Sequence, residues 1–286
     1  MALDKTLLFV GAHPDDESFG PGATLAHYAA AGVRVYYACA TRGEAGTIDA
    51  KHLKDFASAG DLRWAELVCA TKVLGLAGLF HLGYRDSGMS GSADNHHPQA
   101  LVNAPIEEVT ARIVKIIREV RPQVVLTHGA NGDYGHPDHI AVHLATTAAF
   151  HAAGDESKFP GLGAAFQPQK LYYNVFSKRL LKLAVRFLPL FGQDAKHFGR
   201  NKDIDLTVLT GANMPLTTTI KLEKQALKTK EQASACHKSQ LEGGPSRRGV
   251  LSIVSKLTGQ HDTFTRAFPL PDGRHEKDLF DRIDTA

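Results

Sequence analysis

Residues Ala12 to Glu17 read AHPDDE, a histidine and a proline followed by three consecutive acids. Three neighbouring carboxylates repel one another, and a cation or a shared proton offsets that repulsion. His13 and Asp16 supply an imidazole and a carboxylate three residues apart, a donor pair that suits a borderline metal such as zinc. Asp15 is then a carboxylate beside the ion without binding it, which is the position of a general base for a metal-activated water. Taken alone, the cluster reads equally well as a solvated acidic turn.

A second stretch, GANGDYGHPDH from Gly129 to His139, shifts that balance. His136 and His139 repeat the three-residue spacing, with Pro137 where a helix accepts proline in its first turn. His13, Asp16 and His139 make three ligands with a fourth position open to water, the pattern of a catalytic zinc site rather than a closed structural one. The same donors suit Fe²⁺, Co²⁺ or Ni²⁺, so zinc is the preferred ion among several. Asp138, between the two histidines, is placed to hold an imidazole tautomer through a hydrogen bond. His136 is a candidate general acid.

Both stretches must be carried by strand ends. The apolar runs Leu7–Val10 and Val124–Thr127 precede them directly, and the carboxyl ends of parallel strands lie along one edge of an open sheet. Strands are expected at Thr6–Ala12, Arg34–Thr41, Leu79–Leu82 and Gln123–His128, alternating with helices near Gly22–Ala31, Asp55–Leu74, Ile106–Arg121 and Pro137–Ala152. Ile106, Val109, Ile113, Ile116, Ile117 and Val120 recur at helical spacing and should lie on the sheet. Further strands are expected at Lys170–Phe176, Leu216–Leu222 and Thr263–Phe268, with a helix over Glu223–His237 and a polar, peripheral tail beyond Pro269. The fold class is α/β: a three-layer, Rossmann-like, mostly parallel sheet with helices on both faces and a smaller C-terminal cap of strands and helices. The chain reads as a single domain, 1–286, with a core at 1–155 and an extension at 156–286 completing the substrate site.

AHPDDE together with GHPDH resembles the PIG-L/LmbE type of zinc-dependent N-deacetylase. TRGEAG at Thr41–Gly46, Arg63 and Glu66 ahead of Leu74-Gly75, GYRDSGM at Gly83–Met89 and HKSQ at His237–Gln240 also look like that family. The resemblance implies hydrolysis of an acetamide on an N-acetylglucosamine-type sugar or its conjugate. It implies that Tyr134 and His136 stabilise the oxyanion with the metal, that Arg63 and Asp86 hold the hydroxyl-rich part of the substrate, and that HKSQ lies near the site. Glu17 and Glu44 are either supports behind these groups or solvated acids.

Two alternatives stand beside this reading. An amidase cleaving a larger thiol-sugar conjugate would use the same centre. A nucleotide-binding or non-catalytic interaction module would use the same sheet, but a glycine-rich turn is missing where phosphates would bind, since Gly20 and Gly22 follow HPDDE too late. With 33 basic and 30 acidic residues the net charge of +3 gives no reason to expect a nucleic-acid partner; the expected partner is a small amino-sugar, and a homo-oligomer is compatible with the sequence. The amino terminus shows no secretory pattern, so a cytoplasmic location is expected. Cys39, Cys69 and Cys236 are odd in number and widely spaced, and are expected to be small buried hydrophobes rather than a disulfide framework. The adjacent His96 and His97 are expected to be loop histidines, not ligands, and His143 a packed helix histidine. The basic, leucine-rich stretch 178–202 is read as a helix over the substrate edge in preference to one lying on an anionic membrane. Gly243–Gly249 reads as a basic loop.

Overall fold

A computed structural model describes residues 5–175, 185–186, 188–191, 194–197, 205, 207, 214–241 and 260–284. Most of 178–202, all of 243–249, and Phe176 at the end of its expected strand therefore lie outside the described residues. A seven-stranded sheet has the order β3-β2-β1-β4-β5-β7-β6, with β1 Thr6–Gly11, β2 Arg34–Cys39, β3 Gly78–His81, β4 Val124–Thr127, β5 Lys170–Asn174, β6 Thr218–Lys221 and β7 His261–Phe268. The first five strands run parallel, and β7 and β6 continue the sheet antiparallel. The strands expected as a C-terminal cap thus lengthen the one sheet, because β7 pairs with β5 from Leu171 to Asn174 and β6 pairs with β7.

Strand β1 is buried along its whole length, as its unbroken apolar run requires of a central parallel strand. Leu7 and Phe9 face α2 (Gly22–Ala30) and α3 (Ala59–Leu74), packing with Leu25, Tyr28 and Leu67. Leu8 and Val10 face the other way, onto Ile113 and Ile117 of α4 (Ile106–Val120) and Val142 of α6 (Pro137–Ala152). The expected apolar stripe of α4 is buried except for Ile106 at its first position, which is exposed. Helix α3 begins later than Asp55 because the Ser58 hydroxyl caps it, accepting from the Asp61 amide at 3.1 Å.

Two expectations are overturned. Cys69 and Cys236, 167 residues apart, are joined as a disulfide, since α7 (Lys224–Ser234) packs against α2 and α3 and brings Cys236 to Cys69. Only Cys39 stands as a buried free thiol. The tail beyond Pro269 is not peripheral: Leu279 and Phe280 enter the core beside Tyr28, and Glu276 is buried between strands. Sequence separation hides the first contact, and a polar average hides two apolar residues in the second.

Among the described residues no helix is long and apolar enough to cross a membrane.

Candidate metal centre and active site

The ends of β1 and β4 are neighbours, because Phe9 pairs with Leu126. The chain leaving β1 is drawn close over β2: the Tyr37 hydroxyl donates to the His13 carbonyl at 2.7 Å. A Cβ on Gly11 would stand 2.6 Å from that hydroxyl, so only glycine admits this approach. Asp16 opens the short α1 (Asp16–Phe19) and turns back, its Oδ2 accepting from the amides of Ala12 at 2.8 Å and His13 at 2.9 Å. Across the edge, α6 is started by His136, whose Nδ1 accepts from the Asp138 amide at 3.2 Å while Pro137 occupies the first helical position. The first turn of α6 then projects His139 toward His13.

His13 Nδ1 lies 3.2 Å from His139 Nε2, and Asp16 lies 3.4 Å from His139 Nε2 through Oδ1 and 4.0 Å from His13 Nδ1 through Oδ2. Ligand atoms held about 2.0–2.1 Å from a tetrahedral zinc ion stand about 3.3 Å from one another, so the His13–His139 and Asp16 Oδ1–His139 spacings fit such an ion, while the 4.0 Å approach of Asp16 to His13 is longer and comes from the other carboxylate oxygen. The opposite nitrogen of each ring meets a carboxylate: His13 Nε2 is 3.2 Å from Asp138 Oδ2 and 3.4 Å from Asp86 Oδ1, and His139 Nδ1 is 3.1 Å from Asp133 Oδ2. Ionised carboxylates only accept, so each neutral ring carries its proton on that side. Two imidazole lone pairs then face each other at 3.2 Å, an arrangement that requires a cation or an added proton between them. The electrostatics agree. Burial disfavours charge on His13, yet Asp86, Asp138 and Asp16 outweigh it and push its pKa well up.

Other donor groups crowd nearby, namely His13 with His136 and His139, Asp16 with His128 and His139, and His13 with Asp86 and Asp138. They fit an ion less well. Asp86 and Asp138 meet the protonated side of His13, His136 spends Nδ1 on its helix cap, and His128 turns Nδ1 to Asp133 while its Nε2 accepts from the Ala12 amide.

Asp15 stands beside this set with a backbone φ of 121° and ψ of −23°, a region a non-glycine residue rarely occupies. Its Oδ2 accepts from Arg63 Nη2 at 2.9 Å. Burial raises the Asp15 pKa to about 6, with Arg63 opposing the rise. Arg63 also donates to the carbonyls of Pro14 and Gly43, and Gly43 is tolerated there because a side chain would collide with the guanidinium. The sequence expectation gave Arg63 to the substrate; most of its donors are instead spent inward, although it still lines the cavity. Asp86 is held in the same way, its amide donating to Glu44 Oε2 at 3.0 Å, so Glu44 is a support and not a solvated acid.

The centre opens into a cavity of about 220 Å³ that Tyr134, His136, Met89 and Gln240 help to line. Burial and the facing rings of His13 and His139 push His136 well down, so it is a neutral imidazole with its proton on Nε2. HKSQ reaches the site through buried anchors. His237 bonds Glu17 Oε1 at 2.7 Å, and the Ser239 hydroxyl donates to Glu66 Oε2 at 2.6 Å, which sets Gln240 at the wall. Glu17 is fully buried in that pair. His143 bonds the His128 carbonyl at 3.0 Å and packs on Tyr173, and among the described residues His96 and His97 join no donor cluster.

All nine residues singled out in the sequence come together here: His13, Asp15, Asp16, Arg63, Asp86, Tyr134, His136, Asp138 and His139. Two others were not anticipated. His128 directly follows β4 and lies against Asp16, and Asp133 touches both His128 and His139. The available signal was a histidine in the last position of a central strand on the active edge.

A family model described as PIG-L, GlcNAc-PI de-N-acetylase, matches residues 8–150. Two relatives carry the name 1D-myo-inositol 2-acetamido-2-deoxy-alpha-D-glucopyranoside deacetylase. The one from Geodermatophilus obscurus is 39% identical over 72% of each chain. The one from Thermomonospora curvata is 36% identical over 94% of this chain and 91% of its own. The fold is also that of an N,N'-diacetylchitobiose deacetylase from Pyrococcus horikoshii, with a TM-score of 0.63, 18% identity, and coverage of 94% of this chain and 88% of that one.

Proposed function

The chain belongs to the PIG-L family, and on that premise we propose that it hydrolyses the acetamide of a glucosaminyl inositol, releasing acetate and the free amino sugar, with zinc held by His13, Asp16 and His139. Hydrolytic deacetylation of an N-acetylglucosamine-type substrate is the activity its relatives are named for. The observation that carries the metal assignment is the pair of imidazole nitrogens facing each other at 3.2 Å while each ring's other nitrogen rests on a carboxylate. When bound, a zinc ion supplies a Lewis acid that acidifies water and polarises a carbonyl oxygen.

The remaining chemistry falls to side chains. Asp15, with its pKa raised by burial to about 6, is still ionised at neutral pH and is basic enough to take a proton from water as it attacks the acetamide carbon. Arg63 keeps that carboxylate aimed. Negative charge gathers on the carbonyl oxygen as the tetrahedral centre forms, and preorganised donors there lower the barrier. Tyr134 and the Nε2–H of His136 are those donors, since both line the cavity and His136 stays neutral. When the C–N bond breaks, the leaving nitrogen needs a proton. Asp15 returns the one it took, leaving His136 as a donor of hydrogen bonds and not an acid. Asp86 and Gln240, which line the cavity, would meet the sugar hydroxyls.

The test is amine release from N-acetylglucosaminyl inositol and from N-acetylglucosamine, with metal content measured on the same sample and Asp15→Ala as control. Release that needs both metal and Asp15 supports the reading. Bound metal without release from either compound sinks the substrate assignment, and absence of metal from an active protein sinks the ligand set.

A further inference from the structure

Asp133 and His128 have no part in the steps above, yet both are buried directly against the ligand residues. One oxygen, Asp133 Oδ2, accepts from His128 Nδ1 at 2.7 Å and from His139 Nδ1 at 3.1 Å. On the far side of the rings, His128 Nε2 is 3.2 Å from Asp16 Oδ2 and His139 Nε2 is 3.4 Å from Asp16 Oδ1. The rings stack with centroids 3.8 Å apart and planes 21° from parallel. Asp133, His128, Asp16 and His139 therefore close a loop of side chains in which each carboxylate touches both imidazoles.

This arrangement constrains the ligands in two ways. His139 is fixed in tautomer and in ring angle by Asp133. Asp16 is fixed because its Oδ2 accepts from the amides of Ala12 and His13 and lies 3.2 Å from His128 Nε2, itself an acceptor of the Ala12 amide, which leaves Oδ1 as the oxygen toward His139. The backbone points the same way. Asp133 has φ 59° and ψ −90°, close to the strained γ-turn region, where a glycine would sit at less cost but would bring no carboxylate.

We propose that Asp133 and His128 are positioning residues for the metal centre, Asp133 orienting His139 and His128 restricting Asp16 to a single ligand oxygen. This rests on His13, Asp16 and His139 being the ion's ligands. Partners behind metal ligands typically change ion affinity by about 10–100-fold when removed.

The full-length chain and its Asp133→Asn, His128→Ala and His128→Gln variants are compared in three measurements: zinc affinity by competition with a chromophoric chelator, the visible spectrum of the Co²⁺-loaded protein, and the Tm of the metal-free protein. Asp133→Asn and His128→Ala are expected to weaken zinc binding by about 10–100-fold and to shift the Co²⁺ bands, with the metal-free Tm little changed. His128→Gln, which keeps a polar side chain between Asp133 and Asp16, is expected to recover part of the affinity. Affinities within about twofold of the parent, with unchanged Co²⁺ spectra, overturn the inference, since these residues would then only fill space. Should Asp133→Asn fail to fold, the two His128 variants decide. A parent chain that takes up no zinc overturns the ligand set itself, an outcome distinct from variants that bind as the parent does.

Discussion

Arg63 Nη2, buried, donates to the partly buried Asp15 Oδ2 at 2.9 Å, so the carboxylate assigned as base is paired with a cation. Its pKa reflects two opposed effects, burial raising it to about 6 and Arg63 holding it below what burial alone would give. Only the ionised form accepts a proton. Replacing Arg63 with Met removes the restraint, so the Asp15 pKa rises and the acidic limb of the kcat/KM profile moves to higher pH. A pH–rate profile of the variant with an unmoved acidic limb would separate Arg63 from the base.

Asp15→Ala should lower kcat by about 10²–10⁴-fold, the range for loss of a general base, while metal content is retained because Asp15 is not among the ligands. Metal analysis alongside steady-state kinetics checks both halves. Loss of the ion together with activity would mean that Asp15 is a ligand after all.

Tyr134→Phe and His136→Gln test the oxyanion donors. Each removes or displaces one donor, and the expected cost is about 10²–10³-fold in kcat with little change in KM, because the contact strengthens only as charge develops. A rise in KM with unchanged kcat would assign the residue to ground-state binding of the sugar instead.

The sequence made the chemistry legible for a simple physical reason. The residues proposed as ligands stand in short strings at the ends of apolar runs, and parallel strands carry such strings to one edge. His13, Asp16 and His139 needed only that. His128 and Asp133 were hidden because each is a solitary polar residue whose meaning lies in a partner across the site, His128 against Asp16 and Asp133 beneath His139. The role given to Asp138 illustrates the same limit: it does meet an imidazole, and which one was not legible, since the ring is that of His13, 125 residues away. The helices were read from their period, as α4 shows. What joins distant segments was not legible: the link between Cys69 and Cys236, and the packing of Leu279 and Phe280 beside Tyr28, leave no local pattern.

That Cys69–Cys236 link ties α3 to the segment that, just past His237, carries Ser239 and Gln240 to the cavity. Cys69→Ser, or reduction of the parent, should lower stability by about 2–4 kcal/mol, the usual value of a disulfide closing a long loop. Because Cys236 directly precedes His237, KM for the sugar should rise more than kcat falls. Thermal denaturation with and without reductant, paired with KM, tests this. Equal Tm in both states would show the link to be without mechanical weight.

Glu276 is the other long-range tie, and its behaviour with pH can be worked out. Its Oε1 accepts from Lys170 Nζ at 2.8 Å and from Arg266, and its Oε2 from the hydroxyls of Tyr172 at 2.7 Å and Thr218 at 3.1 Å, joining β5, β6 and β7 through one buried carboxylate. Burial opposes its ionisation, but Lys170, Tyr172 and Arg266 outweigh it and hold its pKa below the ordinary value. A carboxyl whose pKa is depressed by folding contributes stability that is present above its unfolded pKa of about 4.3 and is lost as pH falls through the lower folded value. Glu276→Ala leaves Lys170 and Arg266 charged and buried without their shared partner, an error that costs about 3–5 kcal/mol, or on the order of 10 °C in Tm for a chain of this size. The variant should also lose part of the parent's stability decline between about pH 4.3 and more acid conditions, since the group responsible is gone. Parallel pH–stability curves for parent and variant through that range would mean the cluster is paired in the unfolded chain as well, and that Glu276 contributes packing without a pH-dependent term.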